Sequence, residues 1–386
     1  MSRRAISVFL ALCAAGGQAA DQPFAALNLE AHGFASFGYL RSWGNDWLGP
    51  TRGGTTEFWE SAVNTIARPT DRLRLGAQLF VRDLGNHDNG RMQLDWAYAD
   101  WRWHDALGLQ VGRVKLPLGL FNETLDVDAA RTAIFLPPCV YVLRSRDLYV
   151  STDGGKLYGM THLGDAGRLE YALFGGAKRI DPKAGFATFM SEQGLGDSID
   201  SIGSRWLAGG MIHWATPVQG LGFRLSGLDL HKFAICGSSA TRMSTTTEVE
   251  NYYIGFASVI YETSAITWAA EYSRLRGRGD TRIDPMGIVR PLIDNADGAY
   301  VNATWHCQPW LEFYAAGEGA WSDAVDRNAP RSYTAVLAVN LNPLRNWSLK
   351  AEFRDVHGNK SAVNYERRGD LEGHWQVFAL KTTVDF

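Results

Sequence analysis

Along most of the chain, apolar and polar side chains alternate with a period of two, in runs of about ten residues bounded by turn-forming residues. In residues 72–82, RLRLGAQLFVR, Leu73, Leu75, Ala77, Leu79 and Val81 share one parity; Arg72, Arg74, Gly76, Gln78 and Arg82 share the other, and Phe80 is the exception. LEFYAAGEGAW sets Glu312, Tyr314 and Glu318 against Leu311, Phe313 and Ala315, and WSLKAEFR sets Lys350, Glu352 and Arg354 against Trp347, Leu349, Ala351 and Phe353. This period predicts strands with two unlike faces, and no helical period is sustained outside one long connection.

The connections alternate as well. Short ones fall at 69–71, 104–106, 164–167, 217–220, 263–264, 308–309 and 342–346. Longer ones lie near 41–55, 83–90, 115–153, 177–204, 233–247, 277–296, 322–330 and 358–372. Strands joined this way make an up-and-down sheet of about 16, with its long loops at one end. That size leaves an aqueous lumen when the sheet closes.

A soluble sandwich also alternates, so period alone does not say which face meets lipid. Three features favour a membrane barrel. One face carries several ionised groups per strand, long and short connections segregate by end, and Trp103, Trp214, Trp305, Trp310 and Trp347 cluster beside the short ones, where an interfacial girdle would lie. The last residues, QVFALKTTVDF, continue the alternation to the terminal Phe386. A bilayer tolerates no unpaired strand edge, so this strand must close on the first, for which residues 30–40, EAHGFASFGYL, are the partner. The fold class expected is an all-β, closed transmembrane antiparallel β-barrel of about 16 strands.

Arg3 and Arg4, an apolar stretch over 5–15 and small residues at Gly16, Gly17, Ala19 and Ala20 read as a secretory signal peptide over 1–20, leaving 21–386 as the barrel. A net charge of -3 and a pI near 6.3 give no basis for nucleic-acid binding. The cations are 30 Arg and 8 Lys. Arg stays charged when partly desolvated and presents a planar fork of donors, which suits a lumen. With Cys13 in the signal, Cys139, Cys236 and Cys307 remain, an odd number that makes no disulfide framework. Cys139 and Cys236 fall in long connections at one end and are the only pair able to meet.

The terminal strand with its final Phe resembles the C-terminal signature of Gram-negative outer-membrane porins. Residues 109–141, LQVGRVKLPLGLFNETLDVDAARTAIFLPPCVY, are similar to the porin strand and inward-folded loop, with a Gly-Arg pair ending the strand and a Pro-Gly bend opening the loop. The resemblance implies a barrel in the outer membrane, often trimeric, in contact with its lipid and recognised by the barrel-assembly machinery through Phe386. It implies passive diffusion of small hydrophilic solutes and no cofactor.

Within the loop near 115–153, TLDVDAARTAIFLPP reads as a short helix with Thr124 or Asp126 as N-cap and Pro137 and Pro138 as its stop. Folded inward, the loop brings Glu123, Asp126 and Asp128 into the lumen opposite Arg72, Arg74 and Arg82, a transverse field that weighs ions by charge. Lys115 and Arg131 belong to the same loop, and Arg113 reaches the lumen only if its strand end twists or bulges. Because Arg dominates the clearest lumen face, a weak anion preference is expected. His87 and Asp88 read as solvated turn residues with no metal site, and the Arg278, Gly279, Asp280 triplet as part of a polar loop. No nucleophile, zinc or phosphate-loop motif occurs, and no enzyme is expected. An outer-membrane barrel hydrolase and a plugged structural or adhesive barrel remain open alternatives.

Overall fold

The computed structural model describes residues 28–85, 87–240, 243–323, 330–360 and 371–386. The expected signal peptide, 1–20, lies outside them. In chain order the strands are β1 Glu30–Trp43, β2 Phe58–Ala67, β3 Leu73–Leu84, β4 His87–His104, β5 Leu107–Lys115, β6 Ser151–His162, β7 Arg168–Ala177, β8 Arg179–Ile180 and β9 Ser198–Gly203. They continue as β10 Trp206–Ala215, β11 Leu221–Ser238, β12 Ser244–Glu262, β13 Ile266–Asp284, β14 Ile288–Gln308, β15 Leu311–Trp321, β16 Arg331–Leu344, β17 Trp347–Gly358 and β18 His374–Asp385. Sixteen of these, β1–β7 and β10–β18, pair antiparallel in a closed ring, while β8 and β9 form a flap whose second strand pairs with the upper part of β11.

Closure runs along the pair expected from sequence, with Phe34 opposite Asp385 and Trp43 opposite Gln376. The seam continues to the last residue. Gly33 N–H donates to Phe386 O at 2.8 Å, and Phe386 N–H donates to Gly33 O at 2.9 Å. The short connections all join strands at one end, and an outward belt of exposed Trp103, Trp214, Trp305, Trp310 and Trp347, joined by Trp101 and Trp268, lies next to them. Above it the outward positions are apolar and exposed, including Leu75, Leu79, Leu157, Leu173, Ile212, Leu225 and Leu337. Ridges of this kind face lipid, and their neighbours at the other parity point into the barrel.

The long-loop end departs from expectation. Segments 83–90, 233–247 and 277–296 are largely strand: β3 ends at Leu84 and β4 begins at His87, β11 runs to Ser238 and β12 starts at Ser244, and β12, β13 and β14 extend to 19, 19 and 21 residues. Arg278, Gly279 and Asp280 are therefore strand residues, paired with Asn251, Val249 and Glu248 of β12. Above the membrane both faces of a strand are solvated, so polar residues take both parities and the alternation that marks a strand is lost.

The three described cysteines are free, and Cys139 and Cys236, the only pair able to meet, are not bridged. Cys236 is on β11, opposite Thr246, whereas Cys139 is in the inward loop with its thiol 3.4 Å from Ala299 O. Burial pushes the Cys139 thiol well above its ordinary pKa, so it stays protonated and a poor nucleophile. Alkylation of folded protein at pH 8 should therefore leave Cys139 unmodified until denaturant is added, and nonreduced digests should show no disulfide. A bridged peptide containing Cys139 and Cys236 would contradict this arrangement.

Candidate functional site

The chain between β5 and β6, residues 116–150, folds into the lumen. It is not the expected helix. It forms short 3-10 turns at Asn122–Thr124 and Asp128–Ala130, bends through 132–135, and ends in a 3-10 turn at Leu143–Ser145 and a single helical turn at Arg146–Tyr149. Neither of the first two turns has a side-chain N-cap, because Phe121 and Val127 stand at the cap positions, and Asp126 and Asp128 are drawn to the wall. A buried carboxylate gains more from a facing ammonium than from a cap that solvent could replace.

Three sectors of the wall hold the loop. In the first, Lys115 of β5 donates through Nζ to Asp126 Oδ1 and Glu123 O, each at 2.8 Å, Gln78 of β3 also bonds Asp126, and Lys156 of β6 meets Glu123 at 2.9 Å. In the second, Glu271 of β13 accepts from Leu120 N–H at 3.0 Å, Ser258 Oγ at 2.8 Å, Tyr300 Oη at 2.6 Å and Tyr141 Oη. In the third, Asp128 lies between Lys350 of β17 at 3.1 Å, Lys381 of β18 at 3.0 Å and Arg131 at 3.2 Å, and accepts from Thr383 Oγ1 at 2.8 Å. Lys381 also pairs with Glu60 of β2 at 2.6 Å, and Glu352 of β17 accepts from the N–H groups of Ile134 and Phe135.

Around the ring, β5 to β13 is six steps, β13 to β18 five and β18 to β5 five, which sum to the sixteen wall strands. The anchors thus stand about a third of the circumference apart, and the loop spans the lumen from side to side. Phe135 seals one edge, stacked on Phe58 at 5.4 Å and set edge-on to Trp47 at 4.9 Å. Between the loop and the β2–β3 wall a space of about 50 Å³ remains, whereas the vestibule above the loop measures about 960 Å³.

The vestibule corrects the expectation of an ionised lining all round. On β11 and β12 its wall is Phe233, Ile235, Val249, Tyr252, Ile254 and Phe256, against which helix Gly185–Glu192 packs, with Phe186 and Phe233 rings 6.4 Å apart. Its ionised lining is in Arg144 of the loop, Arg274 of β13, Asp294 and Asp297 of β14, Glu318 of β15, Arg354 of β17 and Lys360.

Of the residues expected at the constriction, Lys115, Glu123, Asp126, Asp128 and Arg131 are brought together along the inward loop, and Arg72, Arg74, Arg82 and Arg113 are not their partners. Arg72 precedes β3 in an exposed turn at the short-turn end. Arg74 points inward near that end and pairs with Asp100 at 2.9 Å. Arg82 points inward higher up and is bound to Asp88, Nε to Oδ2 at 2.7 Å. Asp88 and His87 are therefore buried strand residues rather than solvated turn. Arg113 faces outward: no bulge interrupts its pairing with Ala97 and Asp153, and its guanidinium grips Asp153 at 2.7 and 3.1 Å. Phe80, the parity exception, is inward and carries the Arg146 guanidinium 3.9 Å from its ring, with Arg146 Nη1 2.8 Å from Asp95.

The wall cations that meet the loop acids are lysines, Lys115, Lys156, Lys350 and Lys381, drawn from a set of only eight. Their scarcity was the missed signal: a lysine on the inward parity of a strand is a residue chosen over the abundant Arg. A compact ammonium fits the space between two backbone carbonyls, as Lys350 does at Asp128 O and Arg131 O, 2.7 and 2.6 Å away.

No protein-family model matches the sequence, and no curated protein does. Solved structures do. OmpF of Salmonella typhi, in complex with daunomycin, superposes with a TM-score of 0.59 at 12% identity, covering 94% of this chain and 98% of that one. The anion-selective porin from Comamonas acidovorans gives 0.57 at 12%, covering 93% and 99%. The trimer form of the outer-membrane protein OmpT of Vibrio cholerae gives 0.56 at 12%, covering 93% and 99%. At this identity the likeness establishes architecture alone: the chain has the fold of the outer-membrane porins, a closed 16-stranded antiparallel barrel.

Proposed function

We propose that the protein is an outer-membrane channel for small hydrophilic solutes and ions, constricted by its inward loop and weakly selective for anions. The observation that carries this reading is the loop itself, a segment with its own apolar core that is tied by ion pairs inside a 16-stranded ring. The solved porins with the same fold support it. So does the trimer form of one of them for assembly as a homotrimer. Phe386, at the closing seam, is the element we assign to recognition by the barrel-assembly machinery.

The anion preference rests on which partner of the Arg74–Asp100 pair faces water. At the short-turn mouth Asp100 is buried among Tyr158 Oη, Gln110 Nε2 and Arg74, with 6% of its side chain exposed against 39% for Arg74. Arg102, over the Tyr158 ring, is 57% exposed. At the Arg74–Asp100 pair a passing ion meets guanidinium before carboxylate, whereas beside Arg102 the Asp105 carboxylate is itself exposed. In planar bilayers under a salt gradient, the Arg74→Ser/Arg102→Ser double variant should shift the reversal potential toward cations. The shift should shrink between ~0.1 M and ~1 M salt, where the screening length falls from about 10 Å to about 3 Å. A reversal potential equal to that of the unmodified protein would overturn the assignment.

A second reading is a plugged barrel, favoured by the three-sector anchoring and the narrow space beside the β2–β3 wall. The two differ in conductance: a channel gives discrete current steps without modification, and a plugged barrel gives them only after an anchor is cut.

A further inference from the structure

We propose that Asp355, His357 and His374 form a binding site for a divalent transition-metal cation of the zinc and copper class on the outer wall of the barrel. His357 and His374 are directly opposed across the β17–β18 ladder, and Asp355 lies two residues from His357 on the same outward parity. Their imidazole rings stack at 4.4 Å with 14° between planes. Both Nε2 atoms converge on one carboxylate, His357 at 3.2 Å from Oδ2 and His374 at 2.8 Å from Oδ1. One donor atom from each of the three residues lies within 4.8 Å of the other two.

Two nitrogens and one oxygen at this spacing suit zinc, copper or nickel rather than calcium or magnesium, which demand oxygen ligands. A cation seated among them needs bonds of ~2.0–2.2 Å, reached by small rotations of exposed side chains. It would replace the ring protons now directed at the carboxylate. Gln376 Nε2 donates to Asp355 Oδ1 at 3.0 Å and steadies that carboxylate from outside the ligand set, as supporting groups do in metal sites. Three protein ligands leave a coordination position for water. Asp355 is the first ionisable residue on the outward face of β17 above Trp347, Leu349, Ala351 and Phe353, which puts the site at the upper edge of the apolar band. There a cation would clamp β18, the closing strand, to β17.

The test uses tag-free, folded protein in detergent, stripped with chelator and titrated with zinc by calorimetry. One zinc per chain is expected, with a higher thermal unfolding midpoint in its presence, because a ligand that binds only the folded state stabilises it. Copper added in place of zinc should give a paramagnetic spectrum with hyperfine coupling to two nitrogens. His374→Ala and, separately, His357→Ala should each weaken zinc binding at least tenfold and abolish the thermal shift, while gel migration of unboiled samples reports that each variant is folded. Both residues are exposed at a strand end, so either variant alone suffices. No zinc uptake by the unmodified protein, or unchanged uptake in both variants, would overturn the site.

Discussion

Replacing Asp128 with Asn should free the loop from one third of the wall and raise the current through the channel. The carboxylate is 1% exposed and is shared by Lys350, Lys381 and Arg131, so the amide leaves buried cations facing no anion except Glu60. Cutting one member of such a buried network costs ~3–5 kcal/mol. The anchors at Glu271, Asp126 and Glu352 remain, as do the Lys350 bonds to the Asp128 and Arg131 carbonyls, and the expected result is a noisier, larger single-channel conductance with a lower unfolding midpoint. Lys381→Met should be less harmful in the Asp128→Asn background than alone, since the partner it would strand is already neutral. Conductance and midpoint both unchanged in Asp128→Asn would mean that the third anchor holds nothing.

The same carboxyl predicts how acid acts. Burial works to raise its pKa, but the ammonium groups of Lys381 and Lys350 and the Arg131 guanidinium outweigh burial and hold it well below the ordinary carboxylate range. A group whose folded pKa is depressed contributes its stability in full above the unfolded value, ~3.9, and loses it only as pH falls through the folded value. The Asp128 anchor should therefore hold from pH 7 down to pH 4, and open only in much stronger acid. A conductance rise between pH 7 and pH 4 would have to come from another group.

The second large effect is expected at the closing seam. A Cβ at Gly33 would lie 2.6 Å from the Phe386 ring and 2.7 Å from the carbonyl oxygen of Ala62, so Gly33→Val disturbs the β1–β18 and β1–β2 ladders together. The ring can turn away, whereas the backbone oxygen cannot without breaking register. Overpacking of this kind costs ~1–3 kcal/mol, enough to lower the assembled fraction roughly tenfold. Gly317→Ala is the matched control on β15, where an added Cβ meets nothing within 4 Å. Phe386→Ala removes the ring and keeps the two backbone bonds to Gly33, so it should reduce assembly less than Gly33→Val if pairing dominates, and more if the ring is the recognition element. Heat-modifiable migration of membrane fractions reads all three. Full assembly of Gly33→Val would show that the seam tolerates a slip.

The candidate site was legible in part. Glu123, Asp126 and Asp128 could be placed in the lumen because residues 109–141 resemble a porin strand and its inward-folded loop. Their partners could not be named. Parity gave Lys350 and Lys381 an inward face, but Arg74 and Arg82 shared that property, and nothing local distinguishes a cation at the height of the loop from one above or below it. Arg113 was readable in the other direction: its parity with Leu109 and Val111 put it outside, and the structure agrees with the parity rather than with the bulge.

What the amino-acid order determined is the local pattern of the strands where one face meets lipid and the other the lumen. Strand faces, the seven short turns, the aromatic belt and the terminal strand's need for a partner all follow from a two-residue period and turn chemistry, which are properties of local backbone geometry. What only the tertiary structure decided is who meets whom across the lumen. Asp128 and Lys381 are 253 residues apart, and Ile134 and Glu352 are 218 apart. Their encounter depends on strand stagger, on where β5 stops and on the path of the loop, quantities set by closure of the whole ring. The same closure decided that β11 and β12 would present apolar side chains inward, because the loop and helix Gly185–Glu192 fold back to cover them and expel the water that a single strand's pattern assumes.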